Sequence, residues 1–388
     1  MADQAELARR RWRILASAMV SFFAVGMTFF AVPPLVGTLR PAFGLSNLDI
    51  GLLMGAIAAP AIALSVPLGA AVDRWAPRAA GLGGLGLMLL GAAAFAAAPG
   101  FAWLLAGRLL FGVGGLVMNL LLARLVSTAF AGRELALAMG LFTGTYPASM
   151  IVLFSLHPWL APRVGWRAEM GVLAALVVAA IPLHLAAVPA AIGPAPGGPG
   201  PAVRRAVTPP LVALGVAWML YFAAFAAVAT FAPEWAGGGA AGLLVTTVIT
   251  WVAMVGTPLA GAAIDRSGRP QAWCVGGVGL MAVTLALMAA GATRPWAAMA
   301  ALGAVAAAVP PAFYSLPARL VAAERVGVAF GFITALSNLG AVAGPALAGA
   351  LRDATPSWAA VWGVFAAVAA AGAMVALLAR PRAPVAAA

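Results

Sequence analysis

Gly69-Ala-Ala-Val-Asp73-Arg74-Trp75-Ala76-Pro77-Arg78 is a short polar gap between two long apolar runs. It returns as Gly261-Ala-Ala-Ile-Asp265-Arg266-Ser267-Gly268-Arg269, 192 residues later in a chain of 388. Each copy has a glycine followed four and five residues on by an acid and a base. The glycine is expected to let a second helix come close, and the charges to end a span at the water boundary. Two copies half a chain apart predict a duplicated membrane bundle.

The composition agrees with that reading. The chain is 64% hydrophobic and 8% charged, against about a quarter charged residues in soluble domains. It belongs to the all-α integral membrane class. All 22 basic residues are arginine, and the net charge is +12. Arginines held in cytoplasmic loops account for that charge without a nucleic-acid partner. The single Cys274 excludes a disulfide framework and a thiolate metal cluster. The run from Ile14 to Leu39 after Arg9-Arg-Arg-Trp-Arg13 is too long for a signal sequence and long enough to span a bilayer.

Twelve spans are predicted, near 14–39, 49–72, 79–98, 101–123, 135–158 and 168–190, then 210–233, 240–264, 271–291, 296–318, 326–350 and 356–379. The glycine- and proline-rich stretch Gly193–Pro201, ending near Arg204-Arg205, reads as a flexible cytoplasmic linker. The expected organisation is a six-helix bundle over 1–190, a linker over 191–209 and a second six-helix bundle over 210–388. With the N-terminus inside, 16 arginines fall on inner segments and 5 on outer ones. That bias places both termini in the cytoplasm. Ala123-Arg-Leu-Val126 recurs as Ala318-Arg-Leu-Val321, and Trp166 and Trp358 each open the sixth span of a half. Six spans per half make the repeats parallel, related by an axis along the membrane normal.

These residues resemble the major facilitator superfamily, whose signature after the second span is Gly-x-x-x-Asp-Arg/Lys-x-Gly-Arg-Arg/Lys. The second copy keeps Gly261, Asp265, Arg266, Gly268 and Arg269. The first keeps Gly69, Asp73, Arg74 and Arg78, with Ala76 and Pro77 in place of the usual glycine and arginine. Arg108-Leu-Leu-Phe-Gly112-Val-Gly114 in the fourth span and Gly165-Trp166-Arg167 before the sixth are also similar to the family. The resemblance implies a fold of two pseudo-symmetric six-helix bundles and transport by alternating access. It further implies a conformational gate in which Asp73 faces the start of span eleven near Gly327, and Asp265 the start of span five near Glu134. A carboxylate is stabilised at a helix N-terminus, which gives the latch a physical basis.

Arg108 is the one charge well inside a span. It is either a binding residue for an anionic group or a brace that bonds backbone carbonyls between helices. Asn119, Tyr146, Tyr221, Tyr314 and Asn338 are the polar side chains nearest mid-bilayer, and Trp218 and Trp251 would add aromatic walls. The resemblance implies a cavity lined by spans 1, 4, 7 and 10 with help from 2, 5, 8 and 11. Each of these residues is therefore a substrate-binding candidate, with an interhelical hydrogen bond as the alternative. Gly140-Leu-Phe-Thr-Gly144 and Gly340-Ala-Val-Ala-Gly344-Pro345 have small residues at close-packing spacing. Gly81-Leu-Gly83-Gly84-Leu-Gly86 fits a dinucleotide fingerprint in form only, because no strand precedes it. It reads as a packing face of span three.

His157 and His184 are expected to stand far apart and without carboxylate neighbours, so they build no metal site and no triad. All ten acids fall at termini, loops or span ends. The chain is therefore expected to be no enzyme and to need no cofactor. It reads as a secondary active or facilitative transporter, a monomeric inner-membrane permease for a small neutral, amphipathic or singly anionic organic solute. Coupling is expected to be absent or to run through end residues such as Glu169 or Glu234. Efflux of drugs or metabolites by antiport with a coupling proton is the alternative, and a transporter-like receptor a further one.

Overall fold

A computed structural model describes residues 2–72, 74–130, 134–190, 208–321 and 326–379. The first half gives α1 (Ala2–Phe29), α2 (Val32–Phe43), α3 (Asn47–Ala56), α4 (Ala59–Val72), α5 (Pro77–Ala96), α6 (Phe101–Ala129) and α7 (Leu135–Ala187). The second gives α8 (Pro209–Trp235), α9 (Gly239–Ser267), α10 (Pro270–Ala289), α11 (Pro295–Tyr314), α12 (Pro317–Leu320), α13 (Val326–Ala354) and α14 (Trp358–Ala376). No strand is present among the described residues. A bilayer offers backbone groups no water, so each span must satisfy them internally, and a helix does so.

Eleven helices among the described residues are long and apolar enough to cross a membrane, which makes the chain a multi-pass membrane protein. One of them, Leu137–Ala187, runs 51 residues and holds the fifth and sixth expected spans. They part at Gly165, whose φ of 75° and ψ of 158° leave the helical region. The first two spans are each broken, where continuous helices were expected. Pro33 and Pro34 start α2 just after the break at Phe30-Ala31, and Pro60 follows the break at Ile57-Ala58. Proline has no N–H for the carbonyl one turn back, so each break strands carbonyls in the bundle.

The chain divides into one unit of Met1–Leu45 with Leu52–Gly198, and a second of Ser46–Gly51 with Pro199–Ala388. The six residues Ser46–Gly51 thus group with the second unit, and of the expected linker over 191–209 the residues 191–207 lie outside the described residues. In the first unit α1 packs on α7, α4 on α6, and α5 on both α6 and α7. In the second, α8 packs on α13, α9 on α11, and α10 on both α11 and α14. Spans in equivalent positions therefore have equivalent neighbours.

Glycines set several of these contacts. A Cβ at Gly340 or Gly344 would collide with the backbone of Met219 or Ala223, so α13 lies directly on α8. Gly91 and Gly107 do the same for α5 and α6. Gly140 and Gly144, expected to pack closely, have open space where a Cβ would stand. So do Gly69 and Gly261, and the close helix approach expected of them is absent here. A carboxylate does sit at a helix N-terminus within the second unit, at a place the sequence did not suggest. Asp353 accepts from the Asn47 and Leu48 amides at 2.9 and 2.8 Å and from the Asn47 side chain at 2.7 Å.

Candidate functional site

Arg108 lies one helical turn before Gly112 on α6, and the two positions act together. A Cβ at Gly112 would strike the carbonyl of Ile57, so its absence lets α6 reach the break between α3 and α4. Arg108, almost fully buried, then spreads its planar donors over both broken spans. Nε donates to Leu53 O at 2.9 Å, and Nη1 to Thr28 O at 2.5 Å. Nη2 donates to Phe29 O at 3.1 Å and to Met54 O at 3.4 Å. Phe29 is the residue whose carbonyl would otherwise look to the missing N–H of Pro33. The guanidinium thus replaces backbone donors that the breaks removed.

Tyr146 stands within electrostatic reach of Arg108 and packs among Phe22, Phe29 and Phe30, with ring centroids 5.3–5.6 Å away. Asn119 is exposed on α6. In the second unit, Tyr221 and Tyr314 come together around Trp218, which stacks on Phe313 at 3.9 Å. Trp218 and Tyr221 are buried, whereas Tyr314 is 50% exposed. Trp251, on α9, is half exposed. The Asn338 amide donates to Thr334 O on its own helix at 2.8 Å. The structure therefore gathers Tyr221, Tyr314 and Trp218 into one aromatic patch and leaves Asn119, Trp251 and Asn338 outside it.

Of the two Gly-x-x-x-Asp-Arg motifs the second copy is described in full. Gly268 caps α9 in the left-handed region at φ 63°, where glycine is favoured. Pro270 then occupies the first turn of α10. In the first copy Ala76 takes an extended φ of −58° and ψ of 123°, as a residue before proline does, and Pro77 opens α5. The departure from the signature at Ala76-Pro77 is thus a different turn that ends in the same helix start. Asp73 lies outside the described residues, as do the surroundings of Gly327. Asp265, Arg266, Arg269 and Arg74 are exposed, and Glu134 pairs with Arg11 at 3.4 Å.

Side chains beside the acid–base pairs hold these loops. Arg124 donates to Val72 O at 2.9 Å, and Arg319 to Gly268 O at 3.3 Å. The two arginines of the repeated Ala-Arg-Leu-Val thus play equivalent parts, since each donates to a carbonyl at the C-terminal end of a helix of its own unit, α4 at Val72 and α9 at Gly268. Arg78 donates to Val188 O at 3.1 Å, at the C-terminal end of α7. Gln271, equally placed after Pro270, donates to Ala376 O at 3.0 Å at the end of α14.

The expectation that His157 lacks a carboxylate neighbour is overturned. Its Nδ1 stands 2.8 and 2.9 Å from the two carboxylate oxygens of Glu169, both residues being buried. The chain reverses at Gly165 and brings span five back against span six, so twelve residues of separation become a contact. His184 is fully buried against Gly81. Among the described residues no group of three metal-ligating side chains forms.

A family model described as the Major Facilitator Superfamily matches residues 15–238 and 211–388. The uncharacterized MFS-type transporter YbcL of Bacillus subtilis is 27% identical over 175 residues, which are 44% of this chain and 43% of that one. The lysosomal dipeptide transporter MFSD1 of Mus musculus is 22% identical over 277 residues, 65% of this chain and 60% of its own. The chain thus spans about half the length of the curated relatives it matches. Among solved structures, a mutant of the nucleoside transporter NupG superposes with a TM-score of 0.77 at 12% identity, covering 95% of this chain and 99% of that one. A bacterial homologue of the human lysosomal transporter Spinster, inward-facing and unoccupied, gives 0.77 at 14% identity, with 95% of each chain covered. At these identities the likeness shows the fold.

Proposed function

The chain belongs to the Major Facilitator Superfamily and is a transporter rather than an enzyme, and from that premise we propose that it moves a small neutral or amphipathic organic solute across the bilayer by alternating access. The single observation that carries the substrate class is the engagement of Arg108. It is the one arginine well inside a span, and its guanidinium already serves four carbonyls. An anionic solute would have to compete with those bonds. The half-exposed Tyr314, backed by the buried Trp218 and Tyr221, offers an apolar ring with a hydroxyl group at its edge, which suits a planar or amphipathic solute.

On this reading the protein is a monomer in a bacterial cytoplasmic membrane with both termini inside, and the Asp73 and Asp265 loops form its cytoplasmic gate. A solute found by thermal-shift screening of the purified protein is expected to lose at least about tenfold in affinity in Tyr314→Ala, one stacking partner being worth roughly 1 kcal/mol and a lost hydroxyl contact a similar amount. Trp251→Ala serves as the control, since Trp251 stands outside the patch. Unchanged affinity in Tyr314→Ala would move the binding site elsewhere.

A further inference from the structure

We propose that each unit carries a lipid site, an open groove on its own surface that holds one acyl chain of an anionic phospholipid of the cytoplasmic leaflet. The choice of leaflet rests on the orientation proposed above. One groove, of about 360 Å³, runs along α5 beside α4 and α6. The other, of about 470 Å³, runs along α10 beside α11. Every lining residue is alanine, glycine, valine, leucine or tryptophan. The two grooves are lined at matching positions, since Ala79, Gly83 and Leu87 recur as Ala272, Gly276 and Leu280, 193 residues later.

A glycine pair shapes each groove, and its two members do different things. A Cβ at Gly84 would stand 3.0 Å from the Met118 side chain, and one at Gly277 2.4 Å from that of Val309. These glycines bring the neighbouring helix close and form the floor. A Cβ at Gly83 or Gly276 would meet no atom within 4 Å, and both residues are exposed. Neither has the positive φ that favours glycine. Packing and backbone geometry within the chain therefore give no reason for glycine there, although glycine weakens a helix relative to alanine. What the missing side chain leaves is room for another apolar body, at the same place in both units.

The length and the ends of the grooves identify that body. From Ala76 to Leu87 the first runs about 16 Å along the helix, and from Ala272 to Leu280 the second runs about 12 Å, at 1.5 Å per residue. Half of a hydrocarbon core of about 30 Å is about 15 Å, so each groove is about one leaflet deep. Trp75 and Trp273 stand at the loop end of their grooves, where tryptophan marks the level of the headgroups. Trp273 Nε1 donates there to Ser267 Oγ at 3.0 Å. Arg74 and Arg78 are the sequence neighbours of the lining Trp75 and Ala79, and Arg266 and Arg269 precede Ala272. Arg74, Arg266 and Arg269 are exposed and Arg78 is partly so. Each loop has two arginines to one aspartate, and each mouth also opens a helix, whose N-terminus favours an anion. Arginine forks and helix N-termini both recognise phosphate. A phosphate joined to an apolar chain one leaflet long is a phospholipid.

Native mass spectrometry of the purified full chain with added phosphatidylglycerol counts the lipids retained. Wild type is expected to hold two, Gly83→Leu and Gly276→Leu one each, and the double variant neither. Leucine is the better helix former, and its Cβ displaces nothing at either position, so the variants should keep the wild-type Tm. On wild type, phosphatidylcholine is expected to bind at least about tenfold more weakly than phosphatidylglycerol. Arg266→Gln with Arg269→Gln, in the Gly83→Leu background that keeps only the second groove, should remove most of that preference. Two lipids still held by the double variant, or equal affinity of wild type for the two headgroups, would overturn the site. So would a wild-type dimer that either leucine variant turns to monomer with the lipid count unchanged, because a second copy would then fill the groove. No solute enters this experiment, so its failure leaves the transport reading standing.

Discussion

Arg108→Gln and Arg108→Lys should both lower the thermal stability of the purified protein, by an amount on the order of 5 °C. Four carbonyls lose the guanidinium in the glutamine variant, and of these Thr28 O keeps the Ala31 amide as a donor. Each interhelical hydrogen bond in a membrane protein averages only about 0.6 kcal/mol, so four give about 2 kcal/mol. Leaving buried carbonyls unsatisfied costs more, about 1–3 kcal/mol each when nothing relaxes. Lysine keeps the charge but presents a compact ammonium in place of a planar fork, and it cannot serve two broken helices at once. Solute affinity should follow folding in both variants. A glutamine variant with wild-type stability and lost affinity would return Arg108 to a binding role. Gly112→Leu should reproduce the loss of stability, because the added side chain drives α6 away from Ile57.

Asp265→Asn is expected to reduce solute exchange about tenfold while expression and insertion stay normal. The carboxylate is exposed at the end of α9, on a turn fixed by the left-handed Gly268 and by Arg319. A carboxylate meeting a helix N-terminus is worth up to about 2 kcal/mol in a partly buried site, and about 1.4 kcal/mol is a factor of ten in a conformational equilibrium. Asparagine keeps the shape and removes the charge. Arg319→Gln should act in the same direction but more weakly, since it only loosens the turn. Unchanged exchange in both Asp265→Asn and Asp73→Asn would sink the latch.

The fold was legible because a membrane span writes itself in the sequence as length and apolarity, and because the Gly-x-x-x-Asp-Arg gap occurs twice. The breaks in the first two spans were less so. Pro33, Pro34 and Pro60 announce them, yet prolines are common in spans and seldom break one. Arg108 was visible as an anomaly, but its role depended on where the two breaks fell in space, and no spacing in the chain shows that. Gly112, one turn along the same face, was the available signal.

The capping arginines could have been found. Ala-Arg-Leu-Val occurs at the end of span four and again at the end of span ten, and a repeated polar residue at a span end invites a shared role. The His157–Glu169 contact was harder. Reading the two residues by their places in separate spans put them apart, whereas the hairpin at Gly165 places a residue eight before the turn beside one four after it. Their unequal distances from the turn hid the pairing. The gate glycines erred in the other direction. Gly69 and Gly261 were expected to admit a neighbouring helix, and a Cβ at either would meet open space.

Counterflow in proteoliposomes tests transport most directly. Vesicles holding the purified chain are loaded with an unlabelled solute that stabilises it in thermal shift, and labelled solute is added outside. A transient accumulation of label above its equilibrium level is expected, which protein-free vesicles do not show. A solute that binds and stabilises the protein but never accumulates in counterflow would contradict transport and leave a receptor.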